Sequence, residues 1–237
     1  MFSESARFYD AVYSFKDYAA EAAWVAALLK QHQRSVGRDL LDVACGTGEH
    51  LVHLRRHYRV EGLDLDAAML EAARAKLPGV PFHLGDMLNF DLGRSFDAVV
   101  CLFSAIGYVR TVERLACAVA TMARHVRPGG VLAIEPWFSP AQWQPGGVHA
   151  LLVDQPDLKV ARMNQSEPAV NGLSVLEFHY LVGDASGVRH LTERHELGLF
   201  EPEEYRAAFE QAGLTPQFDA DGPSGRGLYF AVREATA

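Results

Sequence analysis

Three acids stand at intervals in the first part of the chain, each closing a short apolar run: Asp42 in "LLDVACGTG", Asp64 in "RVEGLDL" and Asp86 in "VPFHLGDM". Gly46 and Gly48 follow the first of them, two residues apart, before a helical pattern. An ionised carboxylate only accepts hydrogen bonds, so it suits paired hydroxyls or an exocyclic amine, and glycine lets a ligand approach the backbone. Asp64 is placed to accept from both ribose hydroxyls. Asp86 and its neighbouring backbone are placed to hold an adenine amine, with Met87 covering the ring. Taken singly, Asp64 could cap the next helix, Asp86 could serve a turn and Met87 could be core; together the acids point to an adenosine ligand. The pattern G-x-G is cheap, since 20 glycines in 237 residues give roughly 1.7 such pairs by chance, so its position carries the weight. The dinucleotide fingerprint needs a third glycine three residues on. That position is Leu51, which favours an adenosine ligand without a pyrophosphate.

Residues of this kind act together only if a scaffold brings the ends of separate strands to one edge. The pattern supplies that scaffold. "DLLDVA", "RVEGLDL", "VPFHLGD", "FDAVVCLFS" and "GVLAIEPW" read as strands; "EHLVHLRRHY", "DAAMLEAARAKL" and "VERLACAVATMARHV" read as helices between them, after an alanine-rich helix over 18–30. Asp66 is the expected N-cap of the second. Alternating strands and helices predict an α/β fold with a doubly wound, mostly parallel sheet, seven-stranded once "LTPQFDA" and "GLYFAVRE" join after the capped helix "EPEEYRAAFEQAG". Ligands of such sheets bind beyond the carboxyl ends of the strands, where the strand order reverses. Residues 138–200 change style. "LSVLEFHYLV", "GDASG" and "VRHLTERHELGLF" read as a hairpin with a loop of about five residues. We expect residues 1–137 and 201–237 to form the ligand-binding domain, and 138–200 a small antiparallel β lobe inserted after the fifth strand.

A formal charge of −8 argues against nucleic acid, whose phosphates such a surface repels. No apolar run reaches the length of a membrane span, and the N-terminal residues lack a signal-peptide pattern. Cys45, Cys101 and Cys117 sit in apolar runs without metal spacing and are expected to be reduced core thiols in a cytoplasm. His125 stands in the last turn of a helix, where a cation suits the helix dipole. His179, His190 and His195 are not spaced as a metal site, and no metal is expected.

"DVACGTG" followed by "LD" and "GD" resembles the signature of class I S-adenosylmethionine-dependent methyltransferases, a Rossmann-like family. The turn would then receive the methionine end of S-adenosyl-L-methionine, with Asp42 beside it and Ala44 offering backbone contact. Further stretches resemble one subfamily, the N,N-dimethyltransferases acting on nucleotide-linked amino sugars in antibiotic pathways, such as those making desosamine and mycaminose. These are "KDYAAEAA" (16–23), "LLDVACGTG" (40–48), "GDM" (85–87), "FSAIGYV" (103–109), "VRPGGVLAIEPWF" (126–138), "HYLV" (179–182) and "DGPSGRGLY" (221–229). "EPWF" and "PSGRGL" are the more specific, because they lie outside the shared cofactor signature. The resemblance implies a dTDP-linked amino sugar as substrate, Tyr9, Tyr18 and Leu102 beside the cofactor, and Trp137, Arg162 and Arg226 on the nucleotide-sugar side. Arginine forks suit a diphosphate and aromatic faces suit thymine or sugar. A homodimer is an open expectation, as are two rivals: an O- or C-methyltransferase, and a cofactor-binding module without catalysis. The module would lack a concave basic pocket.

Methyl transfer to a neutral amine needs little acid or base power. A sugar amine with a pKa of about 8 is roughly one-tenth neutral at pH 7, a cost of about 1.4 kcal/mol that good orientation exceeds. Tyr108, just past the fourth strand, is the polar side chain expected to accept a hydrogen bond from the amine and aim it.

Overall fold

The computed structural model describes residues 5–234. A short 3₁₀ turn, Ala6–Phe8, leads into α1 (Tyr9–Val12) and α2 (Tyr18–His32), the latter capped by the Asp17 carboxylate, which accepts from Ala20 N at 2.9 Å. The alternating region follows: β1 (Asp39–Val43), α3 (Glu49–Leu54), β2 (Arg59–Asp64), α4 (Ala67–Lys76), β3 (Phe82–Leu84), β4 (Phe96–Cys101), α5 (Val112–Arg124) and β5 (Val126–Ile134). Four strands, β6 (Val148–Gln155), β7 (Leu158–Ser166), β8 (Leu173–Asp184) and β9 (Gly187–Gly198), precede α6 (Pro202–Gln211), β10 (Gln217–Asp219) and β11 (Leu228–Val232).

The main sheet runs β10-β11-β5-β4-β1-β2-β3, parallel except at β10 and β11. β1 is buried throughout, as a central parallel strand covered on both faces must be. Its alternation assigns Leu41 and Val43 to a core with Leu115, Val119, Met122, Tyr205 and Phe209 of α5 and α6. Leu40 goes to a second core with Val25, Leu29, Leu51 and Leu54 of α2 and α3. Helices on both faces thus fix the strands, and the strand order reverses between β1 and β4. Asp66 caps α4 as its sequence position predicts, accepting from Ala68 N at 2.9 Å.

The inserted lobe is a separate antiparallel sheet of order β6-β7-β8-β9, all within 138–200. Its inner face carries Val160, Phe178, Tyr180 and Val182, packed on Phe8 and Val12 of the N-terminal segment. Two expectations are corrected. The β8–β9 loop is two residues, not about five, because Asp184 pairs with Gly187; the Asp184 carboxylate closes the turn by accepting from Ser186 N at 2.9 Å. Cys117 is exposed rather than core, since it falls on the solvent side of α5. His125 ends α5 as its C-cap residue, where its sequence position puts it, and is buried there, its Nδ1 2.8 Å from Thr121 O and its Nε2 3.2 Å from Leu92 N.

Candidate active site

A cleft of about 1420 Å³ opens at the carboxyl ends of β1, β2 and β4 and extends beneath the lobe. The backbone at its floor is unusual. Ala44, Phe103 and Ser104 have φ of 61°, 53° and 57°, a region that costs a side chain strain and that clusters at functional sites. Gly46 shares that conformation at 55°, and a Cβ added there would meet nothing within 4 Å, so its open side faces the cleft.

Asp64 ties the end of β2 to this turn. Its Oδ2 accepts from Gly46 N at 2.8 Å and its Oδ1 from Asp66 N at 2.9 Å, and each oxygen keeps a further lone pair. Burial holds its pKa above the usual carboxylate range. Asp86 accepts from Leu88 N at 3.0 Å through Oδ1, which fixes the carboxyl at the cleft edge beside Met87. Leu102 and Tyr9 also line the cleft. Tyr18 lies instead in a small recess behind it, shared with Asp42, Gly46, Thr47 and His50. There burial pushes Asp42 up to about 7, with His50 opposing and Asp64 adding to the rise. His50 Nε2 is 2.9 Å from Glu21 Oε2, and Lys16 donates to Glu21 Oε1 at 2.6 Å. Burial raises Glu21, but these two hydrogen bonds outweigh it and lower the carboxyl overall.

A buried carboxylate at the recess suits an α-ammonium, and the paired lone pairs of Asp64 suit ribose hydroxyls. The residues therefore fit S-adenosyl-L-methionine, with its adenine toward Asp86 and Met87. Among the described residues no group of three or more His, Cys, Asp or Glu is arranged to hold a metal.

The lobe side carries the expected substrate residues. Trp137 donates from Nε1 to Ser174 Oγ at 2.8 Å, and its ring meets Phe138 at 4.7 Å and Trp143 at 6.2 Å, an aromatic wall. Arg162 reaches inward from β7, 5.5 Å from the Tyr13 ring and 5.3 Å from that of Phe178. Arg226 lines the cleft too, but two of its edges are engaged: Nη2 donates to Glu135 Oε1 at 2.9 Å and Nε to Ser104 Oγ at 2.8 Å. Tyr108 reaches the cleft from the 3₁₀ turn Ala105–Val109, its hydroxyl 2.9 Å from His195 Nδ1. Burial pushes this phenol well above its usual range. The structure thus brings together Tyr9, Ala44, Gly46, Asp64, Asp86, Met87, Leu102, Tyr108, Trp137, Arg162 and Arg226, with Tyr18 one layer behind.

A dTDP-3-amino-3,4,6-trideoxy-alpha-D-glucopyranose N,N-dimethyltransferase of Streptomyces venezuelae is 45% identical over 219 residues, 92% of each chain. The chain belongs to the nucleotide-linked amino-sugar N,N-dimethyltransferases. Residues 40–130 match the family described as Methyltransferase domain. A dTDP-3-amino-3,6-dideoxy-alpha-D-glucopyranose N,N-dimethyltransferase of Streptomyces fradiae is 44% identical over 97% of this chain and 91% of its own. The crystal structure of Streptomyces venezuelae DesVI superposes with a TM-score of 0.91 at 43% identity, over 97% of this chain and 98% of that one. S-adenosylmethionine-bound CalS10, an amino pentose methyltransferase of Micromonospora echinaspora, gives 0.85 at 43% identity, covering 95% and 96%. The fold expected from the motifs, and the cofactor they imply, are those of the amino-sugar N,N-dimethyltransferases.

Two acids behind the cleft wall escaped the sequence reading. Glu135 closes β5 in "AIEPW" as Asp42, Asp64 and Asp86 close or follow β1, β2 and β3, so the same strand-end rule would have found it. Glu193 is two residues from His195, and both face inward on β9, with Leu191 and Leu197 on the same face; the alternation was legible, but the histidine was weighed only as a metal ligand.

Proposed function

We propose that this N-methyltransferase acts on the amino group of a dTDP-linked deoxy amino sugar, adding one methyl and then a second, in antibiotic sugar biosynthesis. The observation that carries the reading is the composite cleft: an adenosine-shaped half at the strand ends, continuous with a half under the lobe lined by two arginines and an aromatic wall. That second half disfavours the non-catalytic module.

S-adenosyl-L-methionine, when bound, supplies an electrophilic methyl. Asp42 and the Gly46 turn hold its amino-acid end, Asp64 its ribose, and Asp86, Met87 and Leu102 its adenine, with Tyr9 and Tyr18 closing the side. Arg162, whose guanidinium has no acidic partner in the salt bridges of the described residues, and the remaining edge of Arg226 engage the diphosphate. Trp137 faces the thymine or sugar. Tyr108 accepts from the amine and aims its lone pair, so that placement rather than strong base catalysis provides the rate.

The outer face of the lobe exposes Leu152, Met163 and Leu181, which supports a homodimer through that sheet; light scattering of the purified protein reads this directly. No helix among the described residues is long and apolar enough to cross a membrane, which is compatible with a cytoplasmic enzyme. Mass-resolved turnover of a small panel of dTDP-linked amino sugars tests the main reading. Mono- and dimethylated products are expected; methylation of a hydroxyl or carbon on these sugars with the amine untouched overturns it.

A further inference from the structure

Under the lobe the cleft floor is laid by apolar side chains, Leu176 and Phe178 of β8 and Leu197 of β9, and by three polar ones of β7: Arg162, Asn164 and Ser166. Asn164 is 8% exposed and Ser166 5%. Polar groups buried to this degree are ordinarily hydrogen-bonded. Among the described residues no hydrogen bond engages the Asn164 amide or the Ser166 hydroxyl, and both side chains line the cleft. An amide beside a hydroxyl offers donors and acceptors together, which suits an alcohol, since an alcohol also donates and accepts.

Their place on β7 says which part of the substrate meets them. Ser166 pairs across to Leu176, and Leu176 to His195, which lies 2.9 Å from the Tyr108 hydroxyl. Ser166 is therefore in the cross-strand row that ends where the amine is received. Asn164 stands one same-face step along β7, about 7 Å further on, in register with Phe178. Arg162 stands one more step on, in register with Tyr180. The order along the floor is amine, then Asn164, then the cation for the diphosphate. In a nucleotide-linked amino sugar, what separates amine from diphosphate is the sugar ring.

We propose that Asn164, with Ser166, hydrogen-bonds a ring hydroxyl of the amino sugar, so that this enzyme takes sugars keeping such a hydroxyl and discriminates against those that have none. This rests on the amino-sugar reading above. The amide N–H donates to the hydroxyl oxygen, and the hydroxyl donates to the amide or serine oxygen. A fully deoxygenated ring would cover the pair and leave it unpaired, which rejects the analogue more strongly than loss of apolar contact does. The deoxy positions of the ring rest on Leu176, Phe178 and Leu197.

The test is kcat/KM of wild type and Asn164→Leu on matched dTDP-sugars. With the amine at C3, the 3-amino-3,6-dideoxy sugar is compared with its 3-amino-2,3,4,6-tetradeoxy analogue. With the amine at C4, the 4-amino-4,6-dideoxy sugar is compared with its 4-amino-2,3,4,6-tetradeoxy analogue. Wild type should prefer the hydroxylated sugar about a hundredfold. Asn164→Leu keeps the volume and removes the hydrogen bonds, so it should cut that preference about tenfold, through loss on the hydroxylated sugar. If it does not fold, Asn164→Ala must show the same shift. A wild type that turns over both sugars of a pair equally overturns the proposal, as does a preference unchanged in the variant. So does an equal loss on both sugars, which would place Asn164 on the nucleotide they share or in a structural role. These results leave the amino-sugar reading intact, whereas a wild type that methylates none of the four sugars refutes that reading and this inference with it.

Discussion

Replacing Arg226 by alanine removes the cation from a carboxylate that is fully buried. Glu135 is 0% exposed, and Arg226 is its salt-bridge partner among the described residues, at 2.9 Å. The carboxylate would retain Phe103 N at 2.6 Å through Oε2 and the Ser224 hydroxyl. It would lose its counter-charge, and Ser104 would lose the Nε donor held at 2.8 Å. Breaking a buried ion pair from one side costs about 3–5 kcal/mol. The Arg226 side chain is 20% exposed, so water enters and the lower end, about 3 kcal/mol, is expected. With a urea m-value of about 2–3 kcal/mol/M, the unfolding midpoint should fall by about 1–1.5 M. Glu135→Gln neutralises the acid, so the double variant should recover about 2 kcal/mol of the loss as coupling. A loss below about 1 kcal/mol in Arg226→Ala, or strict additivity in the double variant, would refute the account of Arg226 as the counter-ion that fixes the "SGRG" loop to β5.

Arg226→Lys keeps the charge but not the fork, and should raise KM for the nucleotide sugar at least tenfold with cofactor affinity unchanged; an unchanged KM removes it from the diphosphate. Asp64→Ala should weaken S-adenosyl-L-methionine by about 2 kcal/mol in calorimetry, since a charged acceptor is lost; unchanged affinity in a folded variant takes Asp64 out of the site. Burial raises Asp42 to about 7 in the free protein, and a ligand ammonium favours its ionised form. Cofactor affinity should therefore rise between pH 6 and 8 and level off above, with a flat profile counting against an ammonium beside Asp42. Tyr108→Phe should lower kcat about tenfold or less at pH 7; a collapse of several hundredfold would make the phenol itself the base.

The strand-end acids and the glycine turn were legible because a parallel sheet converts sequence position into place. Asp42 closes a β-run, Asp64 ends the next and Asp86 follows the third, and β-pairing then brings them to one edge whatever the details of packing. The capping of α4 by Asp66 is likewise local, since the accepting side chain and the donor N–H lie within three residues of each other. What the sequence left open depends on contacts between distant residues. Arg226 reads as a free guanidinium in a glycine loop until folding sets it beside Glu135, 91 residues away. His195 reads as one of several lobe histidines until β9 carries it to Tyr108, 87 residues distant. The imidazole of His125 gains its backbone donor from Leu92 only because the loop before β4 packs on the end of α5. Charge and hydrogen-bonding roles of buried groups depend on which partner desolvates with them. That choice is made by tertiary packing, whereas the period of apolar residues already decides strand, helix and edge.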